Sequence, residues 1–150
     1  MAYSVTLIEG LGVTKQRCVA FLECTDKSIN AKRVFDALKQ KQKDDVLSRF
    51  DYWQRGGVFD RYFHGWPNNQ ERKECFVFRW KEQRNHQRFY GFLTKPKPKT
   101  APGFLVCVLV RYAQKNTEET DSAEFNIINR LRINPEVIEA VKRVFPDKEK

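Results

Sequence analysis

The spacing of apolar residues along this chain changes several times, and each change marks an element. Ser4 to Ile8 and Cys18 to Glu23 are short, apolar and β-branched, and a connection containing Gly10 and Gly12 joins them. That pattern predicts two strands in a hairpin. Beyond Asp26 and Ser28, either able to cap a helix, Val34, Leu38, Val46 and Phe50 recur at multiples of four, with Phe35, Leu47 and Trp53 beside them. The spacing makes one helical face; Lys32, Arg33, Lys39, Lys41, Asp44 and Asp45 form the solvated side. A break near Lys43 divides the run into two packed helices, and Gly56 and Gly57 end it.

From Val58 to Gln70 the pattern is irregular, with Phe59, Tyr62, Phe63 and Trp66 closed by Pro67, Asn68 and Asn69. This reads as a loop that packs. Glu74 to Lys81 alternates Cys75, Val77 and Arg79 with Phe76, Phe78 and Trp80, a strand whose aromatic face is buried and whose Arg79 points elsewhere. Gln87 to Thr94 is a second strand, set off by the polar Gln83 to His86 turn. Lys95 to Pro102 has three prolines and three lysines, so it cannot join a ladder and forms an exposed basic loop. Phe104 to Arg111 is continuously apolar, as a doubly buried central strand would be, and an antiparallel three-strand meander is the simplest sheet.

A capping-box spacing from Thr120 or Asp121 to Ala123 or Glu124 opens a helix through Phe125, Ile127, Ile128 and Leu131. Pro135 opens a shorter one, with Val137, Ile138, Val141 and Val144 on one side, and the PDKEK tail frays. The order of elements predicts one α+β domain.

Composition narrows the chemistry. At 150 residues the chain is long enough for a single core, and no apolar run approaches the roughly 20 residues of a membrane span. With no secretory leader pattern in MAYSVTLIEG, the expectation is a soluble, cytoplasmic protein. Cys18, Cys24, Cys75 and Cys107 are scattered through strand-like segments without a CxxC and read as reduced thiols in or near the core. Only two histidines occur, His64 and His86, and neither has a second ligand at i, i+4, so no protein metal site is expected.

Charge is unevenly placed. The whole chain carries +9, and the stretch from Arg72 to Lys115 alone holds eleven Lys/Arg against Glu74 and Glu82. A polyanion suits such a surface, because neutralised phosphates release condensed counterions. Arg79 and Arg88, on neighbouring strands, offer planar forks for phosphate oxygens, or equally cover an aromatic face from the surface. Tyr90 and Tyr112 either stack a base, donate a proton or simply fill the sheet; Tyr112 stands beside Arg111 and near Lys115. Lys115 is a phosphate contact, a base of lowered pKa or a solvated lysine. His86 is the imidazole of the basic region, suited to proton transfer or merely exposed in its turn, whereas His64 reads first as a packing residue and otherwise as a second acid/base group. Lys95, Lys97 and Lys99 read as a phosphate or ribosomal-RNA grip without sequence readout, in competition with a plain polar hairpin loop.

The segment RFYGFL, followed by FLVCVLVRYAQKNTEETDSAEFNIINRL, resembles the HigB branch of the RelE-type toxins of bacterial toxin–antitoxin pairs. In that branch an arginine near an aromatic precedes an apolar strand, a lysine, a Thr-rich linker and an amphipathic helix. Here these are Arg88 with Phe89 and Tyr90, Phe104 to Val110, Lys115, Asn116 to Asp121, and Ala123 to Leu131. Gln114 stands where the family often has a second lysine.

The resemblance implies a RelE-like α+β fold: an antiparallel or mixed sheet of about four to five strands, with an N-terminal helical hairpin and C-terminal helices. Its core would span about 18–131, with 1–17 a strand extension and 132–150 a helix extension. It also implies an endoribonuclease that cuts messenger RNA, usually on the ribosome, needs no cofactor or metal, and is held inactive by a small antitoxin of helix-turn-helix type. The working group would be Arg79, Arg88, Tyr90, Tyr112 and Lys115, with His86, Lys95, Lys97, Lys99 and Arg111 on RNA. A non-catalytic nucleic-acid-binding module, or a basic module docking an acidic protein, fits the same charge pattern.

Overall fold

The computed structural model describes residues 2–82, 85–115 and 122–148, with Lys115 described in its backbone alone. The predicted Gln83 to His86 turn, the linker from Asn116 and the capping residues Thr120 and Asp121 fall wholly or partly outside these residues. The strands are β1 (Ser4–Leu7), β2 (Arg17–Glu23), β3 (Phe63–Gly65), β4 (Cys75–Glu82), β5 (Asn85–Thr94) and β6 (Leu105–Lys115). The helices are α1 (Ala31–Ala37), α2 (Gln40–Gln54), α3 (Ser122–Arg132) and α4 (Pro135–Val144).

All six strands share one mixed sheet in the order β1-β2-β6-β5-β4-β3. β4, β5 and β6 form the expected antiparallel meander, β2 runs parallel to β6, and β1 closes one edge antiparallel to β2. β6 lies between two partners and its residues 106–110 are fully buried, which explains the unbroken apolar run of its sequence.

The expected RelE-like layout is corrected on two counts. The sheet has six strands rather than four to five, because the segment set aside as an extension pairs along all of β1, and because the supposed loop contributes β3. A three-residue edge strand is too short to show period-2 alternation. Among the described residues there is also no N-terminal helical hairpin. Two strands precede α1, and the helix breaks at Leu38, where ψ of 147° makes the backbone extended, not near Lys43. α1 then rests on β2 and β6 and α2 on β2 and β4, so each helix packs against the sheet. Neither Asp26 nor Ser28 caps α1. Asp26 Oδ1 instead accepts from Ser28 N at 2.8 Å in a local turn, and Asn30 takes the cap position. The Asn30 side chain is occupied elsewhere: its Oδ1 accepts from Tyr112 N at 2.8 Å and so pins the start of α1 to β6.

The sheet divides the core in two. Phe35, Val46, Phe50 and Trp53 of α1 and α2 pack on Phe21, Phe78, Trp80 and Phe89 on one face. Phe125, Ile128, Val137 and Val141 of α3 and α4 cover Cys75, Val77, Tyr90, Phe92 and Val108 on the other. One irregularity interrupts the pairing of β5 with β6. A bulge between Tyr90 and Gly91 shifts the register, and a Cβ on Gly91 would lie 2.2 Å from the Val108 carbonyl oxygen, so only glycine allows β6 this close.

Candidate nucleic-acid interface

Cross-strand partners in an antiparallel sheet project to the same face. The register therefore puts Arg79 beside Arg88, Lys81 beside His86, and His64 beside Val77, all on the face that α3 and α4 cover. Cover thins toward the Glu82 end of β4: Tyr90 is 0% exposed and Arg88 1%, His86 is half-buried and Lys81 exposed. Next to this thinning cover, the pairing of β3 with β4 stops at Phe63 and Phe78, so β4 from Arg79 onward is the sheet edge.

A surface groove follows that edge. Arg49, Arg61, Arg79 and Lys81 line it with both histidines of the chain, and Asp60 is the one acid among its lining residues. α2 and the loop before β3 shape its wall. The Arg49 guanidinium lies 4.3 Å from the centre of the Tyr62 ring and donates to the Arg79 carbonyl at 2.7 Å, while Arg79 N donates to the Tyr62 carbonyl at 2.8 Å. These contacts hold the groove's wall to the β4 backbone.

His64, Arg79 and His86 form a diagonal across β4. His64 is opposite Val77 and His86 opposite Lys81, with Arg79 between those two positions. Ideal strand spacings put the two histidine Cα atoms roughly 16 Å apart, with Arg79 near the midpoint. His64 packs edge-on to Trp66 at 4.7 Å, and Trp66 packs edge-on to Phe125 of α3 at 4.7 Å. Burial, and then the positive charge of Arg79, lowers the His64 pKa below its ordinary value, with Asp60 opposing. His64 is therefore neutral at pH 7, able to accept a proton.

The residues singled out in the sequence are dispersed by the fold. Arg79 and His86 meet in the groove, while Arg88 and Tyr90 lie on the same face but covered. The Tyr90 ring packs edge-on to Phe125 at 5.8 Å, and its hydroxyl is buried with no hydrogen-bond partner among the described residues. Tyr112 is opposite Phe89 on the other face, where its hydroxyl donates to Gln87 Oε1. The Lys115 backbone lies opposite His86. Arg111 is drawn to α3: its Nε and Nη2 donate to the two carboxylate oxygens of Glu124 at 2.8 and 3.0 Å, and Nη1 donates to the Ser28 carbonyl. Lys95, Lys97 and Lys99 follow the far end of β5, about 27 Å from His86 at ordinary strand rise.

Sequence reasoning put His64 first as a packing residue and only second as an acid/base group, and it passed over Arg49, Arg61 and Phe59 as site residues. The available signal was that the chain's two histidines flank a cationic strand; the groove wall had none, since Arg49 reads as the solvated side of a helix. Burial pushes the Cys18 thiol up to about 12 and Cys75 to about 11, so both remain unreactive thiols at neutral pH. Among the described residues no cluster of three or more His, Cys, Asp or Glu could hold a metal ion, and no helix is long and apolar enough to cross a membrane. Comparison of the chain with protein-family models, curated proteins and solved structures finds no match.

Proposed function

We propose that this protein is an endoribonuclease that cleaves messenger RNA without a metal, acting as the toxin of a toxin–antitoxin pair. The observation that carries the cleavage reading is the His64–Arg79–His86 diagonal in a cationic groove. The resemblance of the β5–β6–α3 sequence to RelE-type toxins supports messenger RNA on the ribosome as substrate and a small DNA-binding antitoxin as partner.

The reaction uses groups of the groove and one cation buried beside it. Neutral His64 takes the proton of a ribose 2′-hydroxyl as its oxygen attacks the adjacent phosphorus. Arg79 and Lys81 hold the non-bridging oxygens while negative charge builds on them, and Arg88 adds positive charge from behind the first of these. His86 gives a proton to the departing 5′-oxygen. One P–O bond forms and one breaks, leaving a 2′,3′-cyclic phosphate and a free 5′-hydroxyl, with one proton moved from His86 to product and one gained by His64.

The test uses the full chain with single-stranded RNA, alone and with ribosomes, beside His64→Ala and Arg79→Ala. The expected result is 2′,3′-cyclic phosphate ends from the wild type and their loss in both variants. Salt-sensitive binding without cleavage in either setting would replace this reading with that of a non-catalytic RNA-binding module.

A further inference from the structure

The groove has an aromatic rim that the cleavage chemistry does not use. Phe59 lines it and is 43% exposed, a large ring left partly in water beside four cationic side chains. It is firmly mounted. The ring packs edge-on to Tyr62 at 4.8 Å and 87°, Tyr62 packs edge-on to Tyr52 at 5.7 Å, and the Arg49 guanidinium covers Tyr62. Phe59 thus ends a braced row of rings that runs from α2 to the groove.

We infer that Phe59 is a stacking platform for one unpaired nucleobase beside the scissile phosphate, so that the groove selects single-stranded over duplex RNA. The inference rests on the ribonuclease reading for its substrate and goes further in naming a subsite. A base is flat and apolar on its face and carries phosphates on either side, so the pairing of one exposed ring with Arg61, Arg79 and Lys81 matches it. Stacking tolerates any base, since each has a π-face, and a base inside a duplex has no face to offer. A lone exposed phenylalanine would mean little; its position among converging cations, and its bracing, give it this role.

Binding and cleavage are measured separately. A fluorescent 2′-deoxy oligonucleotide, which cannot be cut, is titrated by anisotropy against wild type, Phe59→Ala and Phe59→Trp, with an abasic residue placed at each position in turn. Expected is about a tenfold loss of affinity for Phe59→Ala, retention in Phe59→Trp, and one abasic position that weakens the wild type but not Phe59→Ala. Duplex of the same sequence should bind wild type and Phe59→Ala alike. Equal affinity of wild type and Phe59→Ala at every position would overturn the inference while leaving cleavage of the ribo-oligonucleotide to stand. Phe59-dependent binding without cleavage would uphold the subsite and sink the nuclease, and no binding at all would sink both.

Discussion

The Lys95–Lys99 loop and the groove between His64 and His86 both concentrate positive charge, and they do it differently. The loop packs three lysines into five residues, yet its backbone is tied down: Lys99 N and Thr100 N donate to the Asp147 carboxylate at 2.9 and 2.8 Å. The Lys97 ammonium sits 5.2 Å from the centre of the Phe104 ring. An acid from the chain's other end thus supplies the counter-charge absent from the loop's own sequence. The groove draws its cations from α2, the β3 approach and β4, so side chains from separate segments aim at one place. Density along the chain gives diffuse attraction; convergence in space gives a position where an anion can be held and a proton moved.

The sharpest way to break this contrast is at the convergent end. His64→Ala and Arg79→Ala should each slow RNA cleavage about a hundredfold or more in single-turnover assays, with thermal unfolding little changed. A full rate in either variant would mean that the groove is not where chemistry happens. A cation committed to structure should behave in the opposite way. Glu124→Ala removes the carboxylate that accepts from Arg111, and urea denaturation should show a loss of about 3 kcal/mol.

Smaller effects sharpen the comparison. Changing Lys95, Lys97 and Lys99 together to Gln should weaken RNA binding several-fold and flatten its salt dependence, with the rate at saturating RNA unchanged. A large fall in that rate would bring the loop into the site. Because His64 acts in its neutral form and its pKa is lowered, cleavage should rise with pH along an acid limb whose midpoint lies below pH 6.5. Asp60 holds that pKa up, so Asp60→Asn should move the limb lower still; an upward move would refute the assignment of the base. The least effect belongs to Tyr112→Phe. It loses one hydrogen bond to Gln87 on the opposite face, about 1 kcal/mol by denaturation, with cleavage unaltered.

Some of the site could be read from the chain. Alternation through Cys75–Lys81 correctly turns Arg79 away from the aromatic face, and Lys81, two residues on, shares its side. Arg111 and Tyr112 show where alternation fails as a guide to function. Adjacent strand residues project to opposite faces of the sheet, and the bulge at Gly91 sends Arg111 toward Glu124 and leaves Tyr112 beside Phe89. An isolated glycine in QRFYGFLT is the signal for such a bulge, but not for its direction. His64 read first as packing for a different reason, since its strand is three residues long and exists only by pairing with β4.

By itself the sequence determined where most strands and helices form, which apolar faces are buried, and how much charge each segment carries, because periodicity, turn residues and ionisable groups are local properties. Which cations meet, and which are spent on Glu124 or Phe104, was decided only in the tertiary structure. Register, edge pairing and the line of α2 against β4 bring residues 49, 61, 64, 79 and 86 to one groove. Their convergence depends on contacts between distant segments, which no local pattern encodes.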